Sequence, residues 1–355
     1  VEKAQQIESY KTSYRGKLKG RIVMIHHPRP FALPEEPTAF RLDDEAIAEL
    51  SQPEEPGLND PLEWPLLRSP INAGERDRMW YRLPLEVEAD QYMLHLKLNN
   101  RLAAFYREEE VAAIIATGWS RQAGVIMHSN YGSWRDEDPI PPPTAVLTGE
   151  HYNRIHRLLE REVEVELEVD IDAQFHGPGV EGHNVIAEIP GSGREDEVVM
   201  LGAHLDSWHG ATGATDNAAG VAVVMEAMRI LRTLDLPLQR TVRAALWEGE
   251  ELNYLGSRAY VRKHFGNPVT MQLKPAHRDL SLYLNLDIGG GKIRGVYLQE
   301  NDSARPVFES WFAPFTDLGV KVNTIAGTRF TDHMPFDSIG LPAFTFIQDE
   351  LDYFM

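Results

Sequence analysis

Residues 198–228 read VVMLGAHLDSWHGATGATDNAAGVAVVMEAM. A nearly continuous apolar run ends at His204, Asp206 follows two residues later, and Asp216 sits just ahead of a small-residue helix start. The run EVVMLGAH has the texture of a strand buried on both faces, as in a parallel sheet. The segment after Asp216 carries Val221, Val224, Met225, Met228 and Leu231 along one side of a helix over residues 218–234. A buried strand, a polar loop and an amphipathic helix make half of a crossover unit, so this stretch sets the fold class.

The same alternation continues toward the C-terminus. RTVRAALWEGEE gives a strand, GSRAYVRKHFG a helix, LSLYLNLD a third strand, SARPVFESWFAPFTDLG a helix and LPAFTFIQD a late strand. Upstream, NVIAEIPG is a strand and turn, and REVEVELEVDID alternates Val163, Val165, Leu167, Val169 and Ile171 with acids, predicting a half-buried strand with a solvated acidic face. The pattern predicts α/β architecture, a three-layer sandwich around a mixed, mostly parallel sheet.

The first half is irregular. RIVMIHH predicts a strand, DDEAIAEL a short helix, EEEVAAIIATG a helix, AGVIMHS a strand and GEHYNRIHRLLE a helix, with a Pro- and Glu-rich tract between residues 28 and 84. This texture predicts a loop-rich α+β accessory domain with linkers over residues 1–172 and a regular α/β domain over residues 173–355.

Composition narrows the function classes. The chain has 355 residues, 43% of them hydrophobic and 25% charged, enough for a packed core. A formal charge of −19 opposes binding to nucleic acid or to an anionic membrane, and no apolar run reaches the roughly 18–20 residues of a membrane span. With no cysteine, disulfides, thiolate metal sites and a cysteine nucleophile are excluded, so any metal centre must use His, Asp and Glu. The chain starts at Val1 without an initiator Met or an apolar leader, which reads as a processed or clipped start.

Three predicted strands end in candidate ligands: His204, the Glu250–Glu251 pair and Asp287, with Asp216 in the loop after the first. In open α/β sheets chemistry gathers at the carboxyl ends of the strands. Each residue alone has an ordinary structural reading: a polar strand end, a helix-start acid favoured by the dipole, a turn cap. Their recurrence at successive strand ends favours a site, and one His with several carboxylates suits zinc or a similar divalent ion. Adjacent carboxylates also allow one to ligate while its neighbour stays free as a base.

The motifs HLDSW…GATDNAAG, WEGEELNYLGS, LYLNLDIGGG and RFTDHMPFDSIGLPAF, in this order, resemble the co-catalytic zinc exopeptidases, a family of bacterial aminopeptidases and plasma glutamate carboxypeptidase-like enzymes. The resemblance implies a zinc peptidase fold with an inserted protease-associated domain, a peptide substrate, an exported location and two zinc ions. It assigns His204 and Asp287 to the first zinc, Asp216 to a bridge, Glu251 to the second zinc, Glu250 as general base for a metal-activated water, and Asp206 as the group orienting His204. Aminopeptidase action is expected ahead of carboxypeptidase or dipeptidase action. The family often has a cis peptide at the position of Asp216–Asn217.

Two positions depart from the pattern. Leu252–Asn253 replace a usual Gly, a change that Asn accommodates through its tolerance of left-handed backbone. The last family ligand, a His after the final strand, is expected beyond Met355, leaving the second zinc position incomplete in a chain that reads as truncated at both ends; His333 is the candidate substitute. His209, His26 and His27 read as loop or strand residues. Two other functions compete: a non-catalytic peptidase-like binding domain of the transferrin-receptor type, and a single-zinc glutaminyl cyclase.

Overall fold

A computed structural model of the chain describes residues 2–28, 41–51, 85–117, 126, 138–174, 181–328, 330–349, 351 and 353. The chain divides into two units, residues 1–37 with 84–178 and residues 38–83 with 179–354. The short helix α2 (Asp44–Leu50) therefore belongs with the second unit, whereas the sequence division at 172 groups it with the first.

The first unit contains α1 (Glu2–Tyr14), β1 (Ile22–Met24), α3 (Leu85–Glu108), β2 (Ala113–Thr117), β3 (Thr144–Leu147) and α4 (Gly149–Glu160). Its three strands run parallel in the order β1-β2-β3. Every residue of β2 is buried, and Phe105, Tyr106 and Ile114 form the centre of its core. The helix expected over residues 108–118 is therefore corrected: α3 ends at Glu108 and AIIAT is a strand. A short apolar run carries no period that separates the two. The strand expected over residues 123–129 lies outside the described residues, except for Ile126. The strand expected over residues 161–172 does not form: the segment after α4 pairs with no strand among the described residues. Its alternation persists, with Val165, Leu167 and Val169 half-buried and the acids exposed, but an extended segment becomes a strand only when a neighbour accepts its ladder.

The second unit is built on seven strands: β4 (Val185–Ile189), β5 (Arg194–His204), β6 (Arg240–Trp247), β9 (Leu280–Asn285), β10 (Ile293–Tyr297), β11 (Val322–Thr324) and β12 (Ala343–Gln348). A separate two-residue ladder joins β7 (Gly266–Asn267) to β8 (Gln272–Leu273). The sheet order is β11-β10-β12-β9-β5-β6-β4, parallel except for the β10–β12 and β4–β6 pairs. This is the expected mixed, mostly parallel sheet, and its central strands β6, β5 and β9 run in one direction. Helices α5 (Gly220–Leu234), α6 (Leu255–His264), α7 (Arg305–Phe312) and α8 (Met334–Asp337) flank it.

Packing follows the apolar pattern. Val224 of α5 sits with Ala203, Ala244 and Leu246, while Met225, expected on the same side, is 59% exposed. A second core places Trp247, Tyr283, Phe336, Met200 and Val261 together, with the rings of Tyr283 and Phe336 stacked 4.4 Å apart. At about 25 cal/mol per Å², these large rings contribute a substantial part of the burial free energy. They lie beneath the strand ends that carry the candidate ligands.

Candidate metal centre

The parallel register brings the candidate ligands to one edge. His204 pairs with Trp247, the last residue of β6 before the loop of Glu250 and Glu251, and Gly202 pairs with Asn285, two residues before Asp287. Backbone bonds continue this stitching past the strands: Leu205 N–H donates to Trp247 (2.6 Å) and Leu286 N–H to Gly202 (3.0 Å).

The Asp216 loop is fixed from below. The Asp216–Asn217 peptide is cis, as the resemblance implies. The Asn217 side chain donates to the Leu286 carbonyl (2.9 Å) and accepts from Gly220 N–H (3.1 Å). A Cβ on Gly220 would lie 2.6 Å from that same carbonyl, so only glycine lets the helix start press against the end of β9.

The glutamate pair sits in a loop closed by three successive backbone bonds, Tyr254 to Glu250, Leu255 to Gly249 and Gly256 to Glu248, with N–H donating in each. Asn253 adopts φ 75°, the left-handed conformation anticipated for the residue at that place. The Asp206 carboxylate accepts from the N–H groups of Glu250 (3.1 Å) and Glu251 (3.2 Å). Across the loop, Asn184 accepts from Glu248 N–H (3.2 Å) and donates to the Gly256 carbonyl (2.9 Å).

His204 is 1% exposed, and its Nε2 lies 2.9 Å from Asp216 Oδ1 and 3.4 Å from Asp287 Oδ1. Its Nδ1 lies 3.0 Å from the backbone carbonyl of Asp206 and 3.5 Å from that residue's carboxylate. The ring is thus oriented chiefly by the Asp206 backbone, with the carboxylate turned to the Glu amides. A donor bond at Nδ1 fixes the ring so that Nε2, once it sheds its proton, can offer a lone pair to a cation, the form a metal ligand needs.

Two groups of side chains have ligand atoms mutually within 4.8 Å: His204, Glu250 and Asp287, all buried, and His204, Asp216 and Glu251. Buried oxygens of Glu250 and Glu251 have no hydrogen-bond partner among the described residues. Crowding shows in the protonation equilibria. Burial and the charge of Asp287 push the Glu250 carboxyl well up, and burial with Asp216 pushes Glu251 up to about 7. Burial alone would lower His204, but Asp206, Asp216 and Asp287 outweigh it and hold it well above its usual range. An imidazole amid carboxylates with unpartnered oxygens is the arrangement a divalent cation would satisfy, and the donor set, nitrogen and oxygen without sulfur, fits zinc.

His333 joins neither group. It is 1% exposed, its Nε2 lies 3.1 Å from the Thr328 carbonyl and its Nδ1 3.0 Å from Thr345 Oγ1, contacts that suit the structural reading over the candidate substitution. His209, in an exposed loop, and His26, whose Nδ1 accepts from Thr117 N–H (3.2 Å), also stand outside both groups. Three residues of this neighbourhood received no role in the sequence reading: Asn184, Asp332 and Tyr353, whose hydroxyl donates to Asp287 Oδ1 (3.0 Å). Each is a common polar residue outside any ligand-type spacing, and only the strand order shows its placement.

Candidate ligand atoms gathered at the carboxyl edge of a mostly parallel sheet form a candidate metal centre of the α/β type. Residues 184–354 match the family model of Peptidase family M28. Carboxypeptidase Q of Bos taurus is 28% identical over 212 residues, 60% of this chain and 43% of the relative. The crystal structure of a peptidase M28 precursor from Shewanella amazonensis superposes with a TM-score of 0.55 at 29% identity, covering 72% of this chain and 55% of the other. A zinc aminopeptidase from Bacillus subtilis, at 20% identity, covers 71% of this chain and 57% of its own with a TM-score of 0.50, and shares the fold. The chain spans about half the length of the curated relatives it matches.

Proposed function

We propose that this protein is a zinc-dependent exopeptidase with two metal positions at the sheet edge. His204, Asp216 and Asp287 would hold one ion, and Asp216 and Glu251 would contribute to the other. The observation that carries this reading is the convergence of His204 with four carboxylates, two of them with unpartnered buried oxygens. Zinc bound there would supply Lewis acidity, lowering the pKa of a water and polarising the scissile carbonyl.

The chain's own residues handle the protons and the geometry. Glu250, 7% exposed and with its carboxyl pushed up, is suited to take a proton from the attacking water and return it to the leaving amine. Asp206 fixes both glutamates through their amides, so base and ligand keep their spacing during the reaction. The first unit is proposed to be the protease-associated accessory domain, and export is proposed by family resemblance.

Cleavage from the amino end is our first reading, carried by the motif resemblance. The sequence likeness to carboxypeptidase Q favours carboxypeptidase action as the second. Peptides blocked at one end or the other separate the two. Glu250→Gln is expected to lower kcat by about 10²–10⁴-fold with zinc content unchanged. Undiminished hydrolysis by that variant would remove the mechanism, and absence of zinc in the purified protein would remove the site.

A further inference from the structure

Beneath the metal centre runs a chain of hydrogen bonds among side chains that are each fully buried. Trp247 Nε1–H donates to Tyr283 Oη (2.7 Å), Tyr283 Oη–H donates to Asn285 Oδ1 (2.6 Å), and Asn285 Nδ2 donates to Thr331 Oγ1. Trp247, Tyr283, Asn285 and Thr331 are each 0% exposed. Next to Thr331, the Asp332 carboxylate accepts from the Ser257 hydroxyl, at the start of α6.

The Tyr283 hydroxyl stands where three site-bearing strands meet. Through Trp247 it touches the end of β6, three residues before Glu250, and through Asn285 the end of β9, two residues before Asp287. On the third side is β5: a Cβ on Gly202, two residues before His204, would fall 2.2 Å from Tyr283 Oη. Gly202 thus leaves room that the phenol oxygen fills. Burial pushes the Tyr283 phenol well up, so it stays protonated and able to donate.

We infer that Tyr283 is a positioning residue: its hydroxyl sets the mutual spacing of the strand ends that carry His204, Glu250 and Asp287, and so the geometry offered to zinc. This inference rests on the proposed metal site and extends it to a group that touches neither metal nor substrate. A hub of this kind acts through ligand placement, because a buried donor and acceptor left unmade are relieved by shifting the strands that carry them. The aromatic ring itself is held separately by its stack on Phe336 and its edge contact with Trp247, so removing the oxygen alone isolates the effect.

The test uses the full 355-residue chain, freed of metal and titrated with zinc against a chelating dye, beside peptide hydrolysis. Tyr283→Phe is expected to weaken zinc binding by about 10–100-fold and to lower kcat comparably, with KM within about twofold, at temperatures where the variant is fully folded. Phe308→Leu, in a core away from the hydrogen-bond chain, serves as a variant of lowered Tm that keeps wild-type zinc affinity. Thr331→Val removes the far acceptor and is expected to act in the same direction by a few-fold; it carries the test if Tyr283→Phe does not fold. Zinc affinity within twofold of wild type in both hydroxyl variants overturns the inference and leaves the metal site standing. No zinc binding by the wild-type chain overturns both.

Discussion

The carboxylate of Asp206 faces two backbone amides as well as the His204 imidazole, and against the upward pull of burial these partners lower its pKa. Asp332 is the contrasting case. It is fully buried, its Oδ2 has no partner among the described residues, and burial pushes its carboxyl up to about 8 despite the Ser257 hydroxyl. An acid whose pKa rises from 3.8 to about 8 on folding gives the folded state an extra proton between those values. Stability from this group therefore falls as pH climbs through that window. Asp332→Asn keeps the acceptor for Ser257 and removes the charge. Thermal unfolding of the metal-free chain should show the variant gaining Tm over wild type at pH 8 and gaining less at pH 5. A pH-independent difference would show that the charge on Asp332 is not what costs stability.

At the scale of elements, the loop of residues 248–256 is held between two side chains from other strands, Asp206 after β5 and Asn184 before β4. Asn184→Ala removes both of its bonds and exposes the Glu248 amide and Gly256 carbonyl to partial loss of partners. The expected cost is about 1–3 kcal/mol, read as a lower midpoint in urea, with kcat reduced because the glutamate pair loosens. Loss of stability with full activity would mean that Asp206 alone holds the pair. The sequence made the two glutamates visible, because acids after an apolar strand are a recognisable pattern, but not Asn184, whose partners are main-chain atoms 64 and 72 residues away. The same limit explains the misread segments. AIIAT is too short to carry a period, and REVEVELEVDID carries a clear period of two but cannot encode whether another strand is there to pair with it. β5, by contrast, was legible from Glu197 to His204, because burial there writes a nearly continuous apolar run, while its exposed start, Arg194 to Asp196, carries no such signal. Its terminal His204 marks the edge at which the other candidate ligands converge.

For the molecule as a whole, a formal charge of −19 makes a cluster of four carboxylates around His204 costly without a cation. Glu251 reports that cost, its pKa rising from 4.5 to about 7 on folding, mainly by burial and by repulsion from Asp216. In the metal-free chain this carboxyl is protonated below about 7, and the stability it permits is lost as pH rises from 4.5 toward 7. Zinc reverses the trend, since a ligand must shed its proton to bind and binding therefore tightens as pH rises. The gap in Tm between zinc-loaded and EDTA-treated protein should accordingly widen from pH 5.5 to pH 7.5. At zinc a hundredfold above Kd, linkage gives about 2.7 kcal/mol, which for a unit of this size is a rise of roughly 5–11 °C. Differential scanning calorimetry at the two pH values checks both the size and the direction. A gap that narrows as pH rises would mean that the carboxylates at the sheet edge are not the groups zinc displaces protons from.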